Sequence, residues 1–429
     1  MVRTPRLKFR VGDPQALFLA ALCTVIGIFL IYTAGFARAL DRDGIMPREV
    51  LVQIGATVLM VFVAAACSRL DIEWWRKRAG QFFAGAFVLL VLVMAPVIGY
   101  TQNGATRWIK LGPINLQPSE IAKVAVVLFL AATFCYRKPM AKPLKSNAST
   151  SRKLDWLWQN RGVRALPLLM VLAVALKIEL EPDLGTAAVI MAIAAGMLFV
   201  GGVSKKSLAI LTLVGTIGLV GLVKSQAYRM ERILNHGNRW EQKHIDDIGF
   251  QTTRAEAAMA GGGVVGAGPG AGWAKHFLPA ATTDYIMATI GEEFGLIGSL
   301  FVIGLLGLLV FRFASEGHRL LSKADKLLSS GSDPTEVRRL RFAGLVLLGL
   351  AFWIGIQTAV NVMMANGTLP SIGIPLPFFS SGGSSLIALW IAVGLGQSAA
   401  AVEHATQPQE AYASNRNRRG NRRAHLPGA

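Results

Sequence analysis

Ten apolar runs divide this chain, and polar or glycine-rich segments separate one run from the next. Each run comes close to the ~20 residues that an α-helix needs to cross the hydrocarbon core of a bilayer. The pattern therefore predicts an all-α fold, a polytopic integral membrane bundle of about ten transmembrane helices. The predicted spans cover residues 15–37, 50–67, 81–100, 119–136, 165–180, 183–201, 207–223, 286–311, 342–365 and 384–402.

Composition supports a membrane protein over two or three soluble domains. Hydrophobic residues make up 53% of the chain and charged residues 16%, whereas a typical soluble domain carries about 25% charged residues. The first run follows four basic residues, as in a signal peptide, but it exceeds the ~7–15 residues of a signal h-region, so we expect an uncleaved span. The cysteines Cys23, Cys67 and Cys135 lie in or beside apolar runs without a CxxC pair, and we expect small buried side chains rather than a redox or zinc site.

The formal charge of +19 is concentrated between the apolar runs. With the N-terminus inside, the inside segments hold 30 Lys and Arg residues and the outside segments 12, seven of them in one long loop. The positive-inside rule then predicts that both termini are cytoplasmic. The domain organisation is a basic cytoplasmic N-terminus (1–14), a ten-span membrane domain (15–402) and a basic cytoplasmic tail (403–429). Basic clusters such as residues 137–153 face anionic membrane lipids, and because none is interleaved with aromatic residues, nucleic acid is not an expected partner.

Four outside segments are unusual in length or composition. The segment between spans 7 and 8, residues 224–285, is glycine-rich yet carries several bulky aromatic residues, so we predict a partly helical, extracytoplasmic loop that lies along the membrane rather than a disordered one. Segments 101–118, 181–185 and 366–383 are also rich in Gly, Pro and polar residues. Because all four face the same side, they predict one external site.

Asp284 is the most distinctive carboxylate, since it stands where the long loop meets the eighth span. A carboxylate at this boundary is partly desolvated, which raises its pKa and suits it to act as a base. An alternative interpretation is that Asp284 is only the N-cap of the helix that follows.

The glycine-rich part of the long loop contains Gly261-Gly262-Gly263-Val264-Val265-Gly266, which formally matches GxGxxG. No βαβ unit precedes it, so a dinucleotide site is not expected. The continuing glycines at 266–272 either bring backbone close to a ligand or form a re-entrant turn, and the sequence leaves both possibilities open.

Further charges lie at the edges of other spans. Arg107 and Lys110 flank Trp108 in an outside segment and suit an anionic headgroup. Glu120 and Lys123 are spaced i,i+3 and can pair inside the bundle, for structural or functional reasons. The carboxylates in Glu181-Pro182-Asp183 mark a break between spans, where an anchor, a metal ligand or a relay is expected.

Together these segments resemble the SEDS family of membrane proteins (shape, elongation, division and sporulation). The resemblance covers essentially the whole chain, and the stretch Pro375–Ser385 is close to the most specific signature of the family. The chain departs from the family pattern at Ser381, where tyrosine is usual, at Ala280 and Thr282, where glutamate and histidine are frequent, and at residues 236–239. The other matching stretches are Gly104–Lys123, Glu181–Gly185, Tyr228–Trp240 and Gly261–Glu293.

The resemblance implies a peptidoglycan glycosyltransferase that polymerises lipid II outside the bacterial cytoplasmic membrane, together with a class B penicillin-binding protein and the nascent glycan strand. It implies that Asp284 is the catalytic carboxylate, while a diphosphate leaving group requires positive charge, from side chains or from a divalent cation such as Mg²⁺ or Mn²⁺. The spacing from Gly266 through Lys275 to Asp284 is more similar to the FtsW branch than to the RodA branch. The residues assigned to substrate binding are Arg107, Trp108, Lys110, Arg229, Arg232, Ser380 and Ser384.

Two other functions remain open from the sequence. The same bundle could flip lipid II, because charges at membrane depth also occur in transporters. A non-catalytic scaffold that recruits a cell-wall synthase is a third possibility.

Overall fold

The computed structural model describes residues 11–40, 45–96, 98–102, 104–111, 114–136, 163–203, 205–246, 249–278 and 280–402. Most of the predicted basic N-terminus, the 137–153 cluster and the 403–429 tail lie outside these residues. The helices are α1 (Pro14–Leu40), α2 (Arg48–Arg69), α3 (Ile72–Leu92), α4 (Pro118–Phe134), α5 (Val163–Glu179), α6 (Leu184–Val200), α7 (Lys205–Lys224), α8 (Ala227–Leu234), α9 (Phe250–Gly262), α10 (Ile286–Ser329), α11 (Pro334–Ala365) and α12 (Gly383–Ala400).

Each predicted span contains a helix, and the chain is an all-α polytopic membrane protein. Six helices are long and apolar enough to cross a membrane, namely α1, α2, α7, α10, α11 and α12, within the described part of the chain. The helices α4, α5 and α6 have 17 residues each, about 26 Å at 1.5 Å per residue, slightly less than the ~30 Å hydrocarbon thickness. Large apolar side chains such as Phe18, Phe62 and Phe311 are exposed on the outer helix faces, as lipid-facing residues would be.

The core of the bundle surrounds α11, which packs against α4, α6, α10 and α12. Its Trp353 is fully buried, as are Phe313 of α10 and Phe342 at the other end of α11. Small residues allow close helix contacts. A Cβ at Gly344 of α11 would lie 2.8 Å from the carbonyl of Gly317 on α10, and a Cβ at Gly317 would meet Gly344 in the same way.

The predicted third span is wrong at its end, where the chain forms a small antiparallel sheet instead of a helix. The prediction placed residues 81–100 in one helix, but α3 begins at Ile72 and ends at Leu92. The apolar residues that follow form a turn and then strand β1 (Gly99–Gln102), which pairs with β2 (Ala105–Leu111), and β2 pairs with β3 (Ile114–Leu116). The run of apolar residues continues from α3 into β1 without a break, and run length alone does not distinguish a strand from a helix.

The long loop is partly helical, as predicted. It contains α8, α9 and a 3₁₀ turn at Ala274–His276. Its glycine-rich part packs against a break in α10 at Gly295, where the backbone has φ 64° and ψ −160°. The amide groups of Ala267 and Gly268 donate to the carbonyls of Glu292 and Glu293, both at 2.9 Å. The glycines therefore bring two protein backbones together, and the element that leads directly into them is helix α9 rather than a strand.

Candidate active site

Asp284 lies in the turn before α10, with its side chain half-buried. The N-cap position of α10 is Tyr285, and no side chain donates or accepts a capping hydrogen bond there. The interpretation of Asp284 as a helix cap is therefore wrong. Its carboxylate borders the turn at Gly373, since a Cβ on that glycine would lie 3.6 Å from Asp284 Oδ2.

The backbone that carries Asp284 is held at three consecutive carbonyl groups. The carbonyls of residues 282–284 accept, in chain order, the amide N–H of Ser381 at 2.8 Å, the hydroxyl of Ser380 at 2.7 Å and Asn361 Nδ2 at 2.8 Å. We call these three bonds the carbonyl clamp. Two donors come from the loop before α12 and one from α11, so distant parts of the sequence fix the position of this carboxylate.

The electrostatic surroundings of Asp284 favour its neutral form. The pKa of Asp284 is raised to about 6, mainly by burial and to a smaller extent by the negative charge of Asp183, while the positive charge of Arg107 acts in the opposite direction. A carboxylate with a pKa close to the working pH combines a useful ionised fraction with greater basicity than an ordinary aspartate.

Arg107 connects the sheet to the break between α5 and α6. Its Nε donates to the carbonyl of Glu181 at 2.8 Å, and its terminal nitrogen donates to the carbonyl of Pro182. Asp183 is the N-cap of α6, where Oδ1 accepts the amide of Thr186 at 3.1 Å. The structure therefore brings Arg107, Glu181 and Asp183 together near Asp284. That this site faces the outside of the membrane stays a prediction.

Glu181 is almost fully buried and pairs with Lys177 at 3.0 Å. Burial raises the pKa of Glu181 to about 7, although Lys177 opposes this shift. Asp183 also accepts Gln117 Nε2 at 3.2 Å. Glu181 thus contacts the end of α5, and Asp183 anchors the start of α6.

The remaining predicted cations have different surroundings. Arg229 is buried, forms an ion pair with Glu179 and donates to Tyr228 Oη at 2.9 Å. Arg232 donates to the carbonyl of Ser371 at 2.8 Å. Trp108 lies opposite Tyr100 in the sheet, and Lys110 Nζ lies 5.6 Å from the centroid of the Tyr100 ring. Lys110 is exposed, so the sheet presents at least one cation to solvent.

The two predicted serines bind protein backbone. Ser380 donates to the carbonyl clamp and accepts the amide of Leu376 at 2.7 Å. Ser384 accepts the amide of Gln117 at 2.8 Å and donates to the carbonyl of Asn115. Both hydroxyls therefore hold the outer loops in place around Asp284, and a substrate contact for either serine stays a prediction.

Glu120 and Lys123 do pair inside the bundle, at 2.7 Å. Lys123 also donates to Gln357 Oε1 at 2.9 Å, and Gln357 Nε2 donates to the carbonyl of Pro375 at 2.9 Å. The pair therefore links α4 through α11 to the last outer loop. This arrangement supports a structural role for both residues.

Known proteins resemble this chain over most of its length. The family model described as "Cell cycle protein", which groups FtsW, RodA and SpoVE, matches residues 14–404. The "Probable peptidoglycan glycosyltransferase FtsW" of Dichelobacter nodosus is 33% identical over 380 residues, 86% of this chain and 85% of the relative. The protein of the same name from Haemophilus influenzae is 36% identical over 387 residues and covers 89% of both chains.

The chain belongs to the SEDS family. These relatives carry the name FtsW, which confirms the prediction of an FtsW-like rather than a RodA-like member. Solved structures agree with this SEDS assignment. One named "Structural coordination of polymerization and crosslinking by a peptidoglycan synthase complex" superposes with a TM-score of 0.66 at 27% identity, covering 91% of this chain and 98% of the other. Thermus thermophilus RodA superposes with a TM-score of 0.59 at 25% identity, covering 90% and 96%.

The described residues of this SEDS protein contain no preformed cage of side-chain ligands for a metal ion. Among them, no three His, Cys, Asp or Glu side chains cluster closely enough to hold one. Asp183 and Glu181 are committed to Thr186, Gln117 and Lys177.

Sequence reasoning missed several residues that support the SEDS site. Asn361 belongs to the carbonyl clamp, and Gln53 of α2 donates to the carbonyl of Ser380 at 3.3 Å. Lys275 and Glu293 form a buried ion pair at 3.0 Å beside the break in α10. A polar residue inside an apolar run was the available signal, because such residues in membrane spans usually have a partner or a function.

Proposed function

We propose that this SEDS protein polymerises lipid II into glycan strands at the outer face of the bacterial cytoplasmic membrane, with Asp284 as the catalytic base. The class of activity is that of its relatives: the chain is a peptidoglycan glycosyltransferase of cell-wall synthesis. The observation that carries the assignment to Asp284 is a carboxylate held by the carbonyl clamp, free of a capping role and with its pKa raised to about 6.

The proposed reaction is an inverting glycosyl transfer. Ionised Asp284 accepts the proton of the 4-hydroxyl of the acceptor sugar while that oxygen bonds to C1 of the donor. The bond between C1 and the undecaprenyl diphosphate breaks, and its electron pair leaves with the diphosphate. Because a diphosphate is a stable anion, one carboxylate suffices and no strong acid is required.

Positive charge would stabilise the leaving diphosphate. Lys110 is exposed on the sheet, and Arg107 lies close enough to Asp284 to lower its pKa. The guanidinium of Arg107 is engaged by the carbonyls of residues 181 and 182. In this proposal Lys110 contacts the diphosphate, while Arg107 contributes its charge and fixes the turn before α6. The substrate path around these two residues is proposed to be lined by Arg229, Arg232 and Trp108.

The proposed membrane arrangement has ten spans, with loop 224–285 and the 366–383 segment outside and both termini in the cytoplasm. A helix in each of the ten predicted segments supports this count. The arrangement places Asp284 at the outer surface, where lipid II is polymerised.

The proposed partner is a class B penicillin-binding protein, which would crosslink the strands that this chain makes. Support comes from the peptidoglycan synthase complex with which the chain superposes, since its name couples polymerisation to crosslinking. A lipid II flippase remains the rival function. The Glu120–Lys123 pair, a possible relay in a flippase, is fixed by Gln357, which favours the glycosyltransferase.

The test is polymerisation of purified lipid II by the full-length protein with its partner, for wild type and Asp284→Asn. General-base loss typically lowers a rate about 10²–10⁴-fold, so we expect polymerisation to drop by that factor while partner binding and lipid II binding persist. Glu120→Gln serves as a control that should act through folding. Near-wild-type polymerisation by Asp284→Asn would refute the site, and a loss of lipid translocation without any polymerisation would favour the flippase.

A further inference from the structure

A cleft opens on the outer loop beside the proposed active site, between α8 and the start of α9. It encloses about 430 Å³, within the ~300–1,000 Å³ of small-molecule sites. Two aromatic rings and several polar side chains form its walls. The residues that line it include Tyr228, Glu231, Arg232, Asp246, Phe250 and Gln251.

The cleft is joined to Asp284 through a short segment of the last outer loop. Ser371 lines the cleft, donates its hydroxyl to Gln251 at 3.1 Å and accepts Arg232 at its carbonyl at 2.8 Å. Two residues further on, Gly373 borders the carboxylate of Asp284. A ligand in the cleft would therefore lie next to the reacting position.

Both aromatic walls are fixed in place by arginine side chains. Arg229 lies 5.5 Å from the centroid of the Tyr228 ring, and Arg254 lies 5.3 Å from that of Phe250. Fixed rings lose little conformational entropy when a ligand stacks on them. An apolar ring face combined with polar groups at its edge is the surface that a pyranose ring, apolar on its faces and hydroxylated at its rim, can fill.

The charges of the cleft are mixed rather than strongly positive, since its carboxylates Glu231 and Asp246 face the cation Arg232 and Asp246 also pairs with Arg254 at 3.4 Å. Glu231 and Asp246 contribute exposed carboxylates, while the cation Arg232 donates to the carbonyl of Ser371. Carboxylate and amide oxygens accept hydrogen bonds from hydroxyl and acetamido groups, but like charges repel a phosphate. The cleft therefore suits sugars rather than the lipid-linked end of a substrate.

We propose that this cleft binds the sugar residues of the growing glycan strand beyond the reacting end and retains the strand between additions. The proposal rests on the proposed function, because it assigns the cleft a part of the same substrate. It adds a strand-holding subsite separate from the catalytic carboxylate.

Direct binding of a tetrasaccharide of alternating N-acetylglucosamine and N-acetylmuramic acid to the full-length protein in detergent tests the subsite. Loss of an aromatic stacking partner should weaken binding about tenfold in Tyr228→Ala, while Tyr228→Phe keeps the ring and restores it. Trp273→Ala, which removes an exposed aromatic residue of the same loop outside the cleft, should bind like wild type. Asp284→Asn should also bind like wild type, although it does not polymerise.

Strand length gives a second readout in lipid II polymerisation. Tyr228→Ala and Gln251→Ala should release strands several-fold shorter than wild type, with an initial rate of bond formation within about twofold. Unchanged tetrasaccharide affinity and strand length in both variants would overturn the subsite and leave the function of Asp284 untouched. Polymerisation by Asp284→Asn would instead refute the catalytic assignment, whatever the cleft does. If binding were lost in Glu231→Gln but kept in Tyr228→Ala, stacking of a sugar on Tyr228 would be refuted. The cleft would then bind an ammonium group of the peptide stem through Glu231.

Discussion

Asn361 and Asp284 are joined by a hydrogen bond of 2.8 Å from the side-chain amide of the former to the backbone carbonyl of the latter. The same nitrogen donates to the carbonyl of Ile374 at 2.7 Å. Asn361 lies in α11 and is fully buried. One side chain in the core thus fixes both the proposed catalytic turn and the outer loop that borders its carboxylate.

Asn361→Ala should lower kcat for polymerisation by about 10–100-fold with little change in the KM for lipid II, because a misplaced catalytic group loses reactivity faster than affinity. The two carbonyls left without a donor should cost about 1–3 kcal/mol of stability. Thr358→Ala is a matched control, since this hydroxyl on α11 donates only to Ile354 of its own helix. Equal kinetic losses in both variants would show that α11 packing alone is affected.

The pH dependence of polymerisation should follow the ionisation of Asp284. Because its pKa is raised to about 6, kcat/KM should fall about tenfold per pH unit below pH 6 and level off above pH 7. A pH–rate profile between pH 4.5 and 8 checks this expectation. A plateau that continues down to pH 4.5 would exclude Asp284 as the base.

The same shift predicts the stability of Asp284→Asn. A carboxyl group whose folded pKa lies above its unfolded value binds more protons when folded, so wild type loses stability as pH rises from about 4 to about 6. Asparagine does not titrate and escapes this loss. Asp284→Asn should therefore melt at the same temperature as wild type or higher at pH 7, and relatively lower at pH 4. A lower melting temperature at pH 7 would contradict the unfavourable environment assigned to the ionised form.

Alanine variants of Arg107 and Lys110 should differ, because Arg107 contacts protein backbone whereas Lys110 is proposed to contact the substrate. Lys110→Ala is expected to raise the KM for lipid II without changing the melting temperature, since its exposed side chain contacts only the Tyr100 ring among the described residues. Arg107→Ala should lower stability by about 1–3 kcal/mol as well, because two carbonyls lose their donor. Lysine at position 107 should rescue poorly, since it lacks the planar fork. Identical behaviour of the two alanine variants would reject this division of roles.

The buried ion pair between Lys275 and Glu293 holds the long loop against α10, and its contribution to stability can be tested. Removal of one partner of a buried ion pair costs about 3–5 kcal/mol, whereas replacement of both by apolar residues is often neutral. Lys275→Met should therefore unfold at much lower temperature in detergent, and Lys275→Met combined with Glu293→Met should recover most of the loss. A double variant no better than the single one would show that the contacts of Lys275 with the carbonyls of Thr33 and Gly270 dominate.

The sequence predicted each of the six described helices that are long and apolar enough to cross a membrane, because apolar run length is a local property. It failed at the end of the third predicted span, where the apolar run continues past the last helical residue, Leu92, into strand β1, whose partner could not be read from run length. It found Asp284, Glu181 and Arg107 because charges stand out at the ends of apolar runs. It missed Asn361, since the contacts of this residue cross 77 positions of sequence and are set by the packing of the bundle.

Because of the carbonyl clamp, the position of the proposed catalytic loop, residues 273–285, depends on contacts with the rest of the bundle. All three donors lie outside the loop, in α11 and in the signature before α12. Residues 273–285 grafted into an unrelated helical bundle would keep the aspartate but lose the bonds that aim it. An engineered or recombined enzyme must therefore inherit segments 282–284, 361 and 380–381 as one set, and exchange among homologues should respect the same boundary.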